Sequence, residues 1–308
     1  MGPYKIVIGS RGSELALWQA NWVKSELERI NNNIEVKIRI IKTSGDKIQN
    51  VALAKIGGKG LFVKEIEEAL LAKEIDLAVH SMKDVPIKLP KELQILVVTK
   101  RENPLDALIS KNGEKLSDLP LNAIIGTSSL RRSSQLLKYN SNFQIRILRG
   151  NLDTRLKKLD EGKYDAILLA VAGLNRLGWK KRITEKVSPE ILLPAMGQGA
   201  LGLETRLSDT TVLKFISCLN DEQTNLAVNA ERAMVKVLDG GCQVPIGAYA
   251  TIDGNLIRVR GLVASLDGKT IYKLEKTGSM WEAKNIGREL GIELLEMGAD
   301  KILDNVLK

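Results

Sequence analysis

Apolar residues in the first forty positions recur with two different periods. Residues 34–41 alternate, with Ile34, Val36, Ile38 and Ile40 on one side and Glu35, Lys37 and Arg39 on the other. That is the two-residue period of a half-buried strand. Residues 4–8, YKIVI, read as a second strand. Between them Leu15, Trp18, Trp22 and the Leu27–Ile30 pair recur at helical spacing, which predicts a helix whose tryptophans face the core. The grammar continues with a helix around 61–73, a strand at 75–79 and another near 95–99. Strand and helix in alternation predict parallel sheets covered on both faces.

After Pro104 the same grammar restarts, with strands at 123–126, 144–148 and 165–169 and helices beginning near Ser128, Leu152 and Ala170. Residues 199–204 follow the Pro194 to Gly199 loop and read as a return of the chain to the first domain. From about 221 the pattern changes to one long helical stretch, then strands near 246–251, 256–264 and 270–277, then a helix from about 281. Consecutive strands flanked by helix predict a small α+β unit. The expected organisation is an α/β domain of residues 1–99 and 200–217, a second α/β domain of 105–194, and an α+β domain of 221–308.

Composition narrows the function. The 308 residues are 44% hydrophobic and 27% charged, a globular balance. The N-terminal MGPYKIVIGSRGS lacks a basic start followed by an apolar stretch, so a cytoplasmic setting is the expectation. One histidine and two cysteines, with no HExxH or CxxC spacing, give no zinc site, so no metal is expected. Cys218 and Cys242 read as thiols rather than a disulfide. The net charge of +9 is compatible with nucleic acid, an anionic membrane surface or a strongly acidic small ligand. Aromatics are only 4% and the arginines fall in separate loops instead of one stripe, which argues against nucleic acid.

Those loops are where chemistry is expected, because ligands of open α/β sheets gather at the carboxyl ends of the strands. Ser10-Arg11-Gly12-Ser13 follows the first strand, and His80-Ser81-Met82-Lys83-Asp84 follows 75–79. Thr127-Ser128-Ser129-Leu130-Arg131-Arg132 and Arg149-Gly150-Asn151 follow two strands of the second domain. Arg131 and Arg132 fall in the first turn of a predicted helix, where the macrodipole disfavours cations by some tenths of a kcal/mol each. Taken singly, each arginine reads as a solvated surface residue; as a set at equivalent positions, with Arg155 and Arg176, they read as an anion site suited to carboxylates. Gly57, Gly58 and Gly60 with Lys55 and Lys59 read as a basic loop that folds over a bound acid, or simply as a tight turn. Asp84 either pairs with a neighbouring cation or accepts hydrogen bonds from a donor-rich substrate, and the sequence leaves both open. His80, ending an apolar strand, reads as structural.

Cys242 sits in Gly240-Gly241-Cys242-Gln243-Val244-Pro245, a flexible approach followed by a rigid exit, which predicts a presented and usable thiol. Cys218, in the apolar run KFISCLN, reads as a small buried residue. A two-domain protein that closes around an anion without chemistry is the competing reading, and the presented Cys242 argues against it.

The stretches GSRGSELALWQA, GGKGLFVKEIE, AVHSMKDVP, GTSSLRRSSQL, RGNLDTRL, YDAILLAVAGLNRLG, LPAMGQGALG, ERAM and GGCQVPIGAYA resemble the porphobilinogen deaminase (hydroxymethylbilane synthase) family from about residue 6 to 250. The resemblance implies two domains folded like type II periplasmic binding proteins with the active site between them, plus a small third domain. It implies a dipyrromethane cofactor held by a thioether to Cys242, onto which four porphobilinogen units are added with loss of ammonia. Asp84 corresponds to the family's catalytic carboxylate, which stabilises an azafulvene cation at the pyrrole N–H groups. By the same resemblance Arg11, Ser13, Lys83, Ser129, Arg131, Arg132, Arg149, Arg155 and Arg176 bind the acetate and propionate groups. Lys83, Asp84, Thr127, Ser129, Arg131 and Arg132 fall to the cofactor, with Cys242, and Arg11, Ser13, Phe62, Arg149, Arg155 and Arg176 to substrate. Lys55 and Lys59 belong to the covering loop. A monomer that passes its product to uroporphyrinogen-III synthase is implied. The chain departs from the family at Val7, where many members carry a basic residue, and in RENPLDA, where Asn103 and Leu105 replace an acid and a base.

Overall fold

The alternating run at 34–40 pairs with the apolar run at 4–10 along its whole length, Tyr4 opposite Ile34 and Ser10 opposite Ile40. These are β2 (Ile34–Ile40) and β1 (Tyr4–Ser10), joined by α1 (Glu14–Ile30), in a computed structural model that describes residues 2–47, 63–240 and 244–307. There follow α2 (Ser44–Lys47), α3 (Lys64–Leu71), β3 (Leu77–Ser81), β4 (Leu93–Val98) and β5 (Asp106–Ser110). The next stretch holds β6 (Ile124–Gly126), α4 (Leu130–Tyr139), β7 (Gln144–Arg146), α5 (Leu152–Asp160), β8 (Ala166–Ala170), α6 (Val171–Arg176) and β9 (Glu185–Val187). Last come β10 (Leu201–Arg206), α7 (Thr210–Ile216), α8 (Glu222–Val237), β11 (Ile246–Asp253), β12 (Leu256–Ala264), β13 (Ile271–Ser279), α9 (Ala283–Leu294) and α10 (Asp300–Leu307).

By contacts the described residues form two compact units. One comprises 2–47, 63–101 and 200–225; the other comprises 102–199, 226–240 and 244–307. The first unit holds a sheet of order β2-β1-β3-β10-β4, and the second holds one of order β7-β6-β8-β5-β9. The two orders are the same topology. In each, a strand with parallel neighbours stands second, and an antiparallel strand is inserted fourth: β10 against β3 and β4, β5 against β8 and β9. The α/β class with two equivalent domains is as expected, and the small α+β part is the antiparallel sheet β11-β12-β13 with α9, which belongs to the second unit.

The expectation of purely parallel sheets is corrected. β5 and β10 reach their places by direct excursions of the chain instead of βαβ crossovers, so the parallel, right-handed rule does not bind them. β5 and β9 carried too little pattern to be read: DALIS is a short apolar run buried on both faces, and β9 has three residues.

Alternate residues of each strand feed opposite faces. In the first unit Ile6, Ile8, Val36, Leu77 and Leu203 pack under Ala20, Val23 and Leu27 of α1, while Ala78 and Leu93 meet Ile66 and Leu70 of α3. In the second, Leu108, Ile125 and Leu168 face Leu136 of α4, and Ile109, Ile167 and Leu169 face Leu156 and Leu174.

The helix at 14–30 forms as predicted, but its buried stripe is Gln19, Ala20, Val23 and Leu27. Trp18 is 36% exposed, Ile30 is exposed, and Trp22 is only partly buried at the margin of the core. The close approach of α1 to the sheet needs small side chains such as Ala20, so the bulky indoles are rotated outward. Cys218 is likewise corrected: it is exposed on a short 3₁₀ turn, Ser217–Leu219, after α7.

Leu27→Ala is therefore expected to destabilise the protein by about 2–5 kcal/mol, whereas Trp18→Ala changes it by less than about 1 kcal/mol. Urea denaturation of the two variants checks this, and the reverse order would restore the tryptophan stripe.

Candidate functional site

In the first unit β1 and β3 are parallel neighbours, so their following loops emerge on one edge of the sheet. Arg11 and Ser13 follow β1. Ser13 caps α1, its Oγ accepting from the Ala16 N–H at 3.4 Å. Lys83 and Asp84 follow β3 on a 3₁₀ turn, Met82–Asp84, with Met82 buried, Lys83 half-buried and Asp84 exposed. The turn is tied down from below: the Met82 N–H donates to the Ala200 carbonyl at 3.0 Å, and Gln19 Nε2 donates to Ser81 Oγ at 3.0 Å.

His80, one residue before this turn, is buried against Glu204, with Nε2 and Oε2 2.8 Å apart. Glu67 of α3 lies within electrostatic reach of both. Burial, then the Glu204 charge, push the Glu67 carboxyl up to about 7, with His80 opposing.

The second unit repeats the arrangement on β7, β6 and β8, again parallel neighbours. Thr127 is buried after β6 and its Oγ1 accepts from the Ser129 N–H at 3.2 Å. Ser129 caps α4, which puts Arg131 and Arg132 in the first turn, as predicted. Arg149 and Arg155 follow β7. Gly150 stands at φ +113, where a Cβ would also overlap Thr154, and its carbonyl accepts from Arg155 Nε at 2.7 Å. Arg149 is half-buried; desolvation lowers its pKa, and its Nε is buried with no hydrogen-bond partner among the described residues. Arg176 ends α6. Its Nη2 donates to the Gly199 carbonyl at 2.6 Å, and burial lowers its pKa to about 10 against the pull of Glu102.

Arg131 and Arg132 are not solvated. They are 4% and 6% exposed and share one fully buried carboxylate, Asp106 at the start of β5. Arg131 Nη1 lies 2.7 Å from Oδ2 and Nη2 3.2 Å from Oδ1; Arg132 Nε and Nη2 lie 3.0 and 2.7 Å from Oδ1. Gln198 Nε2 adds a fifth donor at 3.0 Å. Burial by itself raises the Asp106 pKa, but Arg131 and then Arg132 outweigh it and hold the carboxyl well below the usual range. Nothing in the family resemblance of RENPLDA marks Asp106. The available signal was an acid directly before the apolar run Ala107–Ile109, a place where an unpaired charge is not tolerated.

Leu193 joins these arginines to the cysteine loop. Its carbonyl accepts from Arg131 Nη1 at 2.7 Å, and its side chain presses on Gly247, where a Cβ would come within 3.1 Å. The next residue, Pro194, accepts from the Ala248 N–H at 2.9 Å. Gly247 and Ala248 lie near the start of β11, five and six residues after Cys242, so this strand is tied to Pro194, the neighbour of the residue whose carbonyl holds Arg131. Cys242 itself lies outside the described residues, as do Lys55, Lys59 and Phe62.

Cations, hydroxyl groups and helix N-termini gather at the strand ends of two mixed α/β units of the same topology, which defines a two-unit α/β protein. A family model described as "Porphobilinogen deaminase, dipyromethane cofactor binding domain" matches residues 6–214, and one described as "Porphobilinogen deaminase, C-terminal domain" matches 225–296. The chain belongs to the porphobilinogen deaminase family. It is 49% identical over 303 residues to the porphobilinogen deaminase of Syntrophobacter fumaroxidans, covering 98% of each chain. It is 51% identical over 302 residues to that of Carboxydothermus hydrogenoformans, covering 98% of this chain and 97% of the relative. With that of Citrifermentans bemidjiense it shares 52% over 299 residues, covering 97% and 94%. Among solved structures, the substrate binding domain of a putative molybdenum ABC transporter from Clostridium difficile aligns over 72% of this chain and 95% of its own, at 12% identity and a TM-score of 0.45. No helix among the described residues is long and apolar enough to cross a membrane, and these residues contain no metal-binding cluster of His, Cys, Asp or Glu.

The raised Glu67 pKa has a definite sign. The folded state holds the proton more tightly than the unfolded chain, so this group costs stability progressively as pH rises from about 4.5 to about 7. Glu67→Gln is expected to match wild type at pH 5 and to exceed it at pH 8 in urea midpoint. A difference independent of pH would show that Glu67 does not titrate in this window.

Proposed function

We propose that this chain is an enzyme that joins four porphobilinogen molecules head to tail, with loss of ammonia, on a dipyrromethane primer held by a thioether to Cys242. Hydrolysis then releases 1-hydroxymethylbilane, the hydroxymethylbilane synthase reaction. Family membership supports this over both matched regions. The observation that carries it is the Leu193–Pro194 segment, whose carbonyls accept from the buried guanidinium of Arg131 and from the Ala248 N–H, six residues after Cys242.

The residues present fit the primer. Its acetate and propionate groups need fixed cationic donors, and Arg131 and Arg132 stand charged and oriented in the first turn of a capped helix. Lys83, Thr127 and Ser129 complete that set. Bound there, the primer supplies the pyrrole carbon to which the first new unit is joined. Arg11, Ser13, Phe62, Arg149, Arg155 and Arg176 receive the carboxylates of incoming and elongating units. Arg149 Nε, which has no hydrogen-bond partner among the described residues, gives this a specific donor, because a buried guanidinium N–H left unpaired costs about 1–3 kcal/mol until an anion accepts from it.

Asp84 stands one residue past Lys83 on a turn fixed by Met82, so its carboxylate is held at the strand edge while remaining accessible. There it accepts from pyrrole N–H groups and stabilises the cation formed when porphobilinogen loses ammonia. Lys55 and Lys59 belong to the segment that covers the site. The division into domains of 1–99 with 200–217, 105–194 and 221–308 belongs to the same proposal: the first two carry the cations and the third carries Cys242. The enzyme works as a cytoplasmic monomer and passes its product to uroporphyrinogen-III synthase.

Protein purified from cells that make porphobilinogen is expected to exceed its polypeptide mass by two linked pyrroles, in wild type and in Cys218→Ser but not in Cys242→Ser. A wild-type mass equal to the bare chain would sink the proposal and favour a non-catalytic polycarboxylate-binding protein. Asp84→Ala is expected to fold and keep the primer while kcat falls on the order of 10²-fold or more; near-normal turnover would remove Asp84 from the reaction.

A further inference from the structure

Asp106 is fully buried on an interior strand of its sheet, flanked by Ala170 of β8 and Val187 of β9. Five donor contacts converge on its two oxygens, four from the arginines and one from Gln198. A carboxylate has about four acceptor positions, so this one is saturated. It is therefore unsuited to touching a ligand or exchanging a proton, and what it can do is hold its donors. The hold is directional. Asp106 and the Leu193 carbonyl take the Nη1–Nη2 end of Arg131, while Asp106 and the Leu168 carbonyl grip Arg132 through Nε, Nη2 and Nη1. Each guanidinium plane is fixed from two sides.

Stability alone does not account for this cluster. Buried ion clusters can often be replaced by apolar residues of similar volume without loss, and the first turn of a helix disfavours cations. Placing two arginines there and sinking one aspartate beneath them makes sense when the arginines must stay charged and oriented in a nearly dry site.

We infer that Asp106 is the positioning residue of this site: it makes no contact with the primer, and it sets the orientation in which Arg131 and Arg132 meet the primer's carboxylates. Gln198 serves the same end, bridging Asp106 to the Pro104 carbonyl at 2.6 Å. The inference rests on the proposed role of the two arginines.

The test uses full-length protein from porphobilinogen-producing cells, comparing wild type, Asp106→Asn, Asp106→Glu and Arg132→Gln. The readouts are far-UV circular dichroism, the fraction of folded molecules carrying the primer mass, and KM for porphobilinogen in the loaded fraction. Asp106→Asn is expected to lose primer occupancy or raise KM by about tenfold, as misoriented binding groups do. Asp106→Glu keeps the charge but displaces the forks, and is expected to fold with an intermediate defect. A purely structural role predicts lower stability with wild-type occupancy and KM in whatever folds, and that outcome in either variant overturns the inference. Failure of both variants to fold also overturns it and makes Asp106 a folding residue. Wild-type protein without primer, or Arg132→Gln loaded with unchanged KM, would instead remove the reading of the arginines.

Discussion

Two guanidinium groups at the head of α4 share one carboxylate that solvent does not reach. This places charges where helix electrostatics and burial both oppose them, and it is stable because each charge is satisfied by the others. Around it the second unit converges. β5 delivers Asp106, α4 delivers the arginines, the β8 carbonyl of Leu168 and the loop carbonyl of Leu193 complete the donors' partners, and the same loop straps the stem of the cysteine segment. A charge cluster of this kind exchanges conformational freedom for orientation, which is what the proposed recognition of a poly-acid requires.

The topology explains how so many cations reach equivalent places. Both units have the same strand order, and in each the carboxyl ends of three parallel neighbours lie on one edge. A loop after any of these strands leads toward a helix N-terminus, so a short polar segment gains backbone donors without further construction. Arg11 with Ser13, Lys83 with Asp84, Ser129 with Arg131, and Arg149 with Arg155 are repeated uses of one geometric opportunity. The antiparallel strands β10 and β5 sit at the fourth place of each sheet. Ala200, the residue before β10, pins the turn that carries Lys83 and Asp84 by accepting from the Met82 N–H, and β5 carries Asp106.

The buried polar groups of the first unit serve a different end. His80, Glu204 and Glu67 occupy the side of β3 that faces α3, while Ser81 faces Gln19 of α1. The strand leading to the proposed catalytic turn is thus held by polar contacts on both sides. Polar pairing fixes register and orientation where apolar packing tolerates sliding.

The sequence by itself determined the α/β class, the strand-end loops that gather the cations, the helix whose first turn holds Arg131 and Arg132, and the family. All of these follow from local period, capping and motif density, which are written in neighbouring residues. Tertiary structure decided what depends on residues far apart in the chain. It inserted an antiparallel strand in each sheet, turned Trp18 outward because the sheet admits Ala20 beneath α1, and exposed Cys218 on a turn after α7. It also supplied Asp106, 25 residues from Arg131 and 26 from Arg132, as the charge on which both depend. A hydrophobic pattern records how buried a residue tends to be, but the partner of a buried charge is set by the folding of strands onto one another, and no local period encodes it.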